Sequence, residues 1–413
     1  MMSNSARIKE VTVTALGSAG RPPAKGVGRE CVTPLSGLGV ADSDMRSGLP
    51  PMEVWTVLVS ITDEEGNVGI GSAGFGTRVA FDVLVDYFRP MLIGKNPFDI
   101  EQLWDRMYLS TLNFGRKGAV ISAISAVDIA LWDLLGKILN VPVYALIGGR
   151  TKAAIPVYAS RLYATEDLAD LHSEATNYVR AGYCGVKQRL AYGPRDGRTG
   201  MVRNLELVST VADALTANVE HMVDAYMGWD KNYAVRMIRM IEDAGIRLAW
   251  VEEPLRPDNV GALAEVRRSV STPIAAGEHE YTRHGVRDLL TQGAVDILQT
   301  DFNRAGGITE AKKIIALASA FDTPVIPHAG QLHNYHVVMS SSGCPMAEHF
   351  IRPTPAVVPD EDEIFYRIFD GEPDAHDGYV DLDPNIPGLG YTLNEEFVES
   401  TSLALVGPSR AGF

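Results

Sequence analysis

Two hydrophobic periods alternate along this chain. Near the N-terminus, VWTVLVSIT (54–62) is a β-branched run, DEEGN a turn and VGIGSAG a returning run, which together predict an antiparallel hairpin. Between Lys117 and Asn140 the period changes. Val120, Ile124, Val127, Leu131, Leu134 and Ile138 recur at spacings of 4, 3, 4, 3 and 4, the mark of one apolar helix face. From Ile155 short apolar runs alternate with helix-length segments: IPVYAS (155–160), GVKQRL (185–190), HMVDAY (221–226), LAWVEEP (248–254), PIAAGE (273–278), DILQTD (296–301), PVIPH (324–328) and MAEHF (346–350). Amphipathic stretches such as NYAVRMIRMIEDAG and ITEAKKIIALASAF lie between most of them. Eight strands alternating with about seven helices predict parallel βα units, and eight favours closure into a barrel over an open sheet. The final 50 residues are rich in Asp, Pro and Gly before LNEEFVES, and read as a return segment packing on the first domain.

Composition narrows the function classes. At 413 residues and 46% hydrophobic, the chain is too long for one small module and too apolar for disorder. Its 37 basic and 52 acidic residues give a net charge of −15 without a concentrated basic run, which argues against nucleic-acid or anionic-membrane binding. An anionic substrate would need local cations to invert that field. Cys31, Cys184 and Cys344 form an odd set with no CxxC, so neither a disulfide framework nor a zinc knuckle is expected. MMSNSARIKEV has no apolar signal core, and runs such as IIALASAF fall far short of the roughly 18 apolar residues that span a bilayer. The expectation is a cytoplasmic protein.

Chemistry enters at the strand ends. Asp224, Glu252, Glu278, Asp301 and His328 are separated by 28, 26, 23 and 27 residues, about one βα unit each. In a barrel those ends converge on the active-site face. A single acid after a strand is often only a helix N-cap, but five polar residues in phase are hard to explain that way. Asp224, Glu252 and Glu278, with no cysteine and no paired histidines on one helix, suit a hard cation, Mg²⁺ first. Lys187 and Arg189 on the second strand would make the local field positive enough for an anion. His328 ends strand seven beside Asp301 on strand six, an arrangement that fixes the imidazole tautomer and suits a general base. Glu348 ends strand eight. His333 and His336 follow His328 at intervals of 5 and 3 and are expected on a helix surface rather than in a second metal site. Gly69-Ile-Gly71-Ser-Ala-Gly74 matches GxGxxG, yet its strand is the second arm of a hairpin and no second parallel strand ending in an acid follows, so dinucleotide binding is not expected. The chain also lacks an HxH ending its first barrel strand and a strand-end lysine placed for a Schiff base.

These residues carry a resemblance. DAY (224–226), WVEEPL (250–255), AGEHE (276–280), TDFNRAGGIT (300–309) and IPHAG (326–330), with AVDIALWDLLGK (126–137) and VPVYALIGG (141–149), resemble the mandelate-racemase subgroup of the enolase superfamily over nearly the whole chain. The resemblance implies a (β/α)₇β barrel (151–365), an α+β cap (1–150) and a C-terminal segment (366–413) returning to that cap. It further implies one Mg²⁺ held by Asp224, Glu252 and Glu278, an Asp301–His328 dyad, and Glu348 bonding the substrate carboxylate. Within the subgroup, GVKQRLAYGPRDGRTG (185–200) and TPLSGLGVADSDMR (33–46) are most similar to the L-rhamnonate dehydratase-like enzymes, which places Arg46 on the sugar acid. Two positions depart from pattern. Arg189 stands where the racemases carry a second, basic lysine, and a guanidinium with pKa above about 12 is a poor base. Glu30 stands where the rhamnonate dehydratases carry a cap histidine, which bears on the sugar accepted.

The reaction implied is Mg²⁺-dependent dehydration of an aldonate of the L-rhamnonate or L-lyxonate type to a 2-keto-3-deoxy acid. Lys187 would hold the carboxylate, with Arg46, Glu30 and Arg189 around the rest of the substrate. The alternatives are a racemase or epimerase, and a catalytically silent sugar-acid-binding homologue. Relatives imply a dimer-based homo-oligomer, often an octamer.

Overall fold

A computed structural model describes residues 6–17, 31–38, 54–74, 77–165, 167–352 and 365–407. Strands β1 (Ile8–Gly17), β2 (Val54–Asp63) and β3 (Val68–Ala73) form an antiparallel sheet. The expected hairpin is β2–β3, in register from Val57↔Ala73 to Thr62↔Val68. Asp63 closes its turn by accepting the N–H groups of Glu65 and Asn67. Ser402–Val406 pairs antiparallel with the outer edge of β1.

The helix Ala119–Leu139 crosses this sheet. At Gly69 and Gly71 a Cβ would stand 2.1 Å from the carbonyl oxygens of Ala130 and Ala126, so the glycines let strand and helix backbones touch. That contact, not a phosphate, explains the GxGxxG run. The helix also differs from its predicted single apolar face, being buried on nearly every side from Val120 to Gly136. Its would-be polar face meets the barrel and is hydrogen-bonded there. Ser125 Oγ accepts from Gly306 N–H (2.8 Å), and Asp128 Oδ2 from Thr309 N–H (2.9 Å). The helix is long and apolar enough to cross a bilayer, which the short apolar runs did not reveal, but 89% of that window is buried inside the molecule.

The second sheet is parallel. β4 (Ile155–Leu162), β5 (Gly185–Arg189), β6 (Glu220–Asp224), β7 (Trp250–Glu252), β8 (Ile274–Ala276) and β9 (Ile297–Leu298) follow one another in chain order, and β10 (Ala347–His349) pairs back onto β4. The expected seventh strand, PVIPH, is reduced to one bridge, Leu298↔Val325. Pro324 and Pro327 flank it, and neither has an N–H to extend a ladder. Tyr158, Met222, Trp250, Ala275 and Ile326, one from each of five strand positions, pack together as an apolar cluster. The closing segment braces the barrel before reaching the cap, since Tyr379–Val380 pairs with the start of β4.

The helix Leu332–Met339 corrects another expectation. Every residue in it is buried, including His333 and His336, so neither lies on a helix surface. His336 is a cross-link: its Nδ1 accepts from Tyr144 N–H (2.9 Å) and its Nε2 bonds the Leu389 carbonyl (3.0 Å). Burial pushes the His333 imidazole down to about 4, which keeps it neutral.

Candidate active site

Register builds the site. Arg189 pairs with Asp224, and Asp224 with Glu252, so the ends of β5, β6 and β7 lie at one level. Alternation along β5 puts Lys187 and Arg189 on one face. Asp224, Glu252, Glu278, Asp301, His328, Glu348 and Lys187 are all buried at these strand ends. The structure thus brings together the seven residues singled out for metal and proton chemistry.

Lys187 sits between two carboxylates, with Nζ 2.6 Å from Glu252 Oε1 and 2.7 Å from Glu348 Oε1. Burial works against its charge, but Glu252 and Glu348 outweigh burial and hold the ammonium well above its ordinary value. Glu252 also accepts from Trp250 Nε1 (3.2 Å) and Gln299 Nε2 (2.8 Å), both through Oε2. Burial nonetheless pushes Glu252 up to about 7, with repulsion from Asp224, Glu348 and Glu278 working against the help from Lys187. Asp224 accepts from Tyr226 N–H (2.7 Å) and faces Arg189 Nε at 3.6 Å. Burial raises it too, and Glu278 adds repulsion. Asp224, Glu252 and Glu278 offer only oxygen donors, near enough to repel one another, and such a set fits a hard dication.

The dyad is formed. His328 Nδ1 lies 2.9 Å from Asp301 Oδ2, while Asp301 Oδ1 caps the short helix Phe302–Ala305 by accepting from Asn303 and Arg304 N–H. Asp301 thus caps a helix with one oxygen and meets His328 with the other. A carboxylate only accepts, so Nδ1 carries a proton and Nε2 faces the site, 3.5 Å from Glu278 Oε2. Burial would lower the imidazole pKa, but Glu278, Asp301 and Glu348 outweigh it and raise the value to about 9.

Several groups escaped the sequence reading. Arg304, three residues after Asp301 and so one helical turn on, bridges Asp301 Oδ2 (3.0 Å) and Glu278 Oε1 (3.3 Å). Burial would raise Glu278, yet His328, His279 and Arg304 prevail and hold it well below the usual carboxylate range. Among the described residues, Glu253, Glu278 and His279 form the group whose candidate ligand atoms all lie within 4.8 Å of one another. His279 Nδ1 is 2.9 Å from both oxygens of Glu253. Both residues sat beside the picked acids, in WVEEP and AGEHE, but nothing in the spacing marked them. Arg189 lies at the mouth between the rings of Tyr163 (5.1 Å) and Tyr226 (5.4 Å). Glu30 and Arg46 fall outside the described residues. A cleft opens between dyad and cap, bordered by Trp55 and Thr56 of β2, Ser72 of β3, and Phe350, Phe365 and Phe369.

A βα barrel with carboxylates and a His–Asp dyad at its strand ends, beneath an α+β cap, defines an enzyme of the enolase type. Residues 170–397 match the enolase C-terminal domain-like family and residues 52–148 the mandelate racemase / muconate lactonizing enzyme N-terminal domain, and the chain belongs to that family. It is 36% identical over 345 residues to an L-rhamnonate dehydratase of Saccharopolyspora erythraea, covering 83% of this chain and 84% of that one. The fold superposes on rhamnonate dehydratase from Gibberella zeae complexed with Mg, with TM-score 0.83, 31% identity and coverage of 97% and 96%. It also superposes on L-talarate dehydratase from Polaromonas sp. JS666 complexed with Mg and L-glucarate, with TM-score 0.77, 27% identity and coverage of 98% and 99%.

Proposed function

We propose that this protein is a Mg²⁺-dependent sugar-acid dehydratase, a hydro-lyase acting on an aldonate of the L-rhamnonate type. One observation carries the reading: among the described residues, His328 is the dyad histidine, with Nδ1 on Asp301 and Nε2 facing the site, while His279 is turned onto Glu253 and Lys187 is occupied by Glu252 and Glu348. Elimination needs one base, whereas racemisation needs one on each face of the α-carbon. The similarity to L-rhamnonate dehydratase and to Mg-bound sugar-acid dehydratases supports the substrate class and the metal.

In this reading Asp224, Glu252 and Glu278 hold the ion, and Lys187 with Glu348 orients the substrate carboxylate. Bound Mg²⁺ supplies a Lewis acid that withdraws charge as the α-carbon is deprotonated. His328 Nε2 takes the α-proton, and Asp301 stabilises the imidazolium that forms. The electron pair moves into the C2–C3 bond as the C3–O bond breaks, and His328 returns its proton to the departing hydroxyl. Water leaves, and the enol tautomerises to a 2-keto-3-deoxy acid. Arg189, Arg46 and Glu30 act on the rest of the substrate. The cap (1–150), barrel (151–365) and return segment (366–413) work as one cytoplasmic homo-oligomer's subunit, in keeping with three free cysteines.

A panel of aldonic and aldaric acids, incubated with and without chelator, tests this. Chelator-sensitive release of a 2-keto acid from at least one aldonate is expected. Exchange of the α-proton with inversion and no keto acid would replace the reading with an epimerase, and binding without turnover would replace it with a silent homologue.

A further inference from the structure

The donors to Glu252 come from the barrel wall, and each meets one of its oxygens. Trp250 precedes it by two residues on β7, hence on the same face, and an indole N–H can only donate. Gln299 lies just beyond β9. A carboxylate only accepts, so the Gln299 amide turns Nε2 toward it. Trp250 is held in place by an edge-on contact with Tyr158, ring centroids 5.5 Å apart at 83°. Oε2 therefore carries two neutral donors, at 3.2 and 2.8 Å, and both its lone-pair directions are filled. Oε1 carries Lys187 alone, at 2.6 Å, and keeps one direction open. Freeing Oε2 for a cation would break the Trp250 and Gln299 bonds where no bulk water could replace them, since Glu252, Trp250 and Gln299 are each at most 2% exposed.

We infer that Trp250 and Gln299 are positioning residues that restrict Glu252 to offering one oxygen, Oε1, to a cation, and that this lock favours Mg²⁺ over Ca²⁺. Mg²⁺ demands near-octahedral geometry, whereas Ca²⁺ accepts more oxygens and takes carboxylates in bidentate fashion. With Oε2 occupied, Glu252 cannot present both oxygens, so the larger ion loses a ligand mode that the smaller one does not need. The inference rests on the reading of Glu252 as a ligand.

The test is calorimetric titration of metal-free protein with Mg²⁺ and, separately, Ca²⁺. The proteins are the wild type, Trp250→Phe, Gln299→Met and Glu252→Gln. Trp250→Phe keeps a packed ring and removes only the N–H, so it decides the matter even if Gln299→Met fails to fold. Each lock variant should narrow the Mg²⁺:Ca²⁺ affinity ratio by about tenfold, chiefly through tighter Ca²⁺ binding. A ratio moved by less than about threefold in the folded lock variants overturns the inference. Glu252→Gln separates the two failures. If it binds Mg²⁺ like the wild type, the ligand reading itself is wrong; if it loses Mg²⁺ while the lock variants keep the wild-type ratio, only the lock is wrong.

Discussion

His328 owes its protonation state to its neighbours. Burial alone would leave the imidazole neutral, and it is chiefly the Glu278 carboxylate, 3.5 Å from Nε2, that raises it to about 9. Neutralising Glu278 removes a charge that favours the imidazolium, so the sign is downward. In metal-free Glu278→Gln, the His328 resonance followed by NMR should titrate well below 9, toward its ordinary 6.5. A midpoint unchanged from wild type would mean that Asp301 and Glu348 set it without Glu278. His328→Asn should abolish solvent exchange of the substrate α-proton while the fold survives. If the wild type exchanged both α-epimers at comparable rates, a second base would exist and the one-base mechanism would fail.

Elements meet through small, specific contacts. A Cβ at Gly71 would strike the Ala126 carbonyl, a backbone atom of the helix Ala119–Leu139 that cannot rotate away. Gly71→Ala should therefore destabilise the protein by about 1–3 kcal/mol, the usual range for overpacking, seen as a lower midpoint in chemical denaturation. Glu372 sits under the helix Leu332–Met339, accepting Leu332 N–H through both oxygens at 3.3 and 3.1 Å. Burial pushes its carboxyl from 4.5 to about 8, despite opposing effects of that bond and of Arg352. The folded state thus binds more protons than the unfolded one between those values. The stability this gives is full below about 4.5 and is lost as pH rises through about 8. Glu372→Gln removes that dependence, so its Tm relative to wild type should be higher at pH 9 than at pH 6. Parallel curves would show that Glu372 ionises freely in the fold.

At the scale of the molecule, the cap holds the loop after β9 that carries the dyad's acid. Trp104 Nε1 donates to the Gly306 carbonyl (2.7 Å), Trp132 Nε1 to Thr309 Oγ1 (2.9 Å), and Asn303 Nδ2 to the Ser72 carbonyl (2.9 Å). The carboxylates proposed to hold the ion come from three strand ends that converge only in the folded barrel. Mg²⁺ should therefore bind the native state and stabilise it by about 2.7 kcal/mol at a hundred times its Kd. Calorimetric scans should show Tm rising with Mg²⁺ and falling back with chelator. Wild-type Tm indifferent to the ion would count against metal binding at these strand ends.

The sequence by itself determined the order of elements and the candidate chemistry. Strand and helix periods are local properties, and a repeat of 23 to 28 residues between Asp224, Glu252, Glu278, Asp301 and His328 is countable along the chain. Local pattern could not tell that the polar positions Ser125 and Asp128 face a second domain rather than water, or that His333 and His336 are interior. Two prolines shortened strand seven in a way the apolar run concealed. The largest gap concerns direction. Spacing puts Glu252 and Lys187 at the barrel mouth, but only contacts from Trp250, Gln299 and Glu348 decide which oxygen of Glu252 is open and whether Lys187 can serve as a base. Gln299 is 47 residues from Glu252, and Glu348 is 161 from Lys187. Side-chain orientation and charge state depend on such distant partners, and those exist only once the sheet has wrapped β10 onto β4.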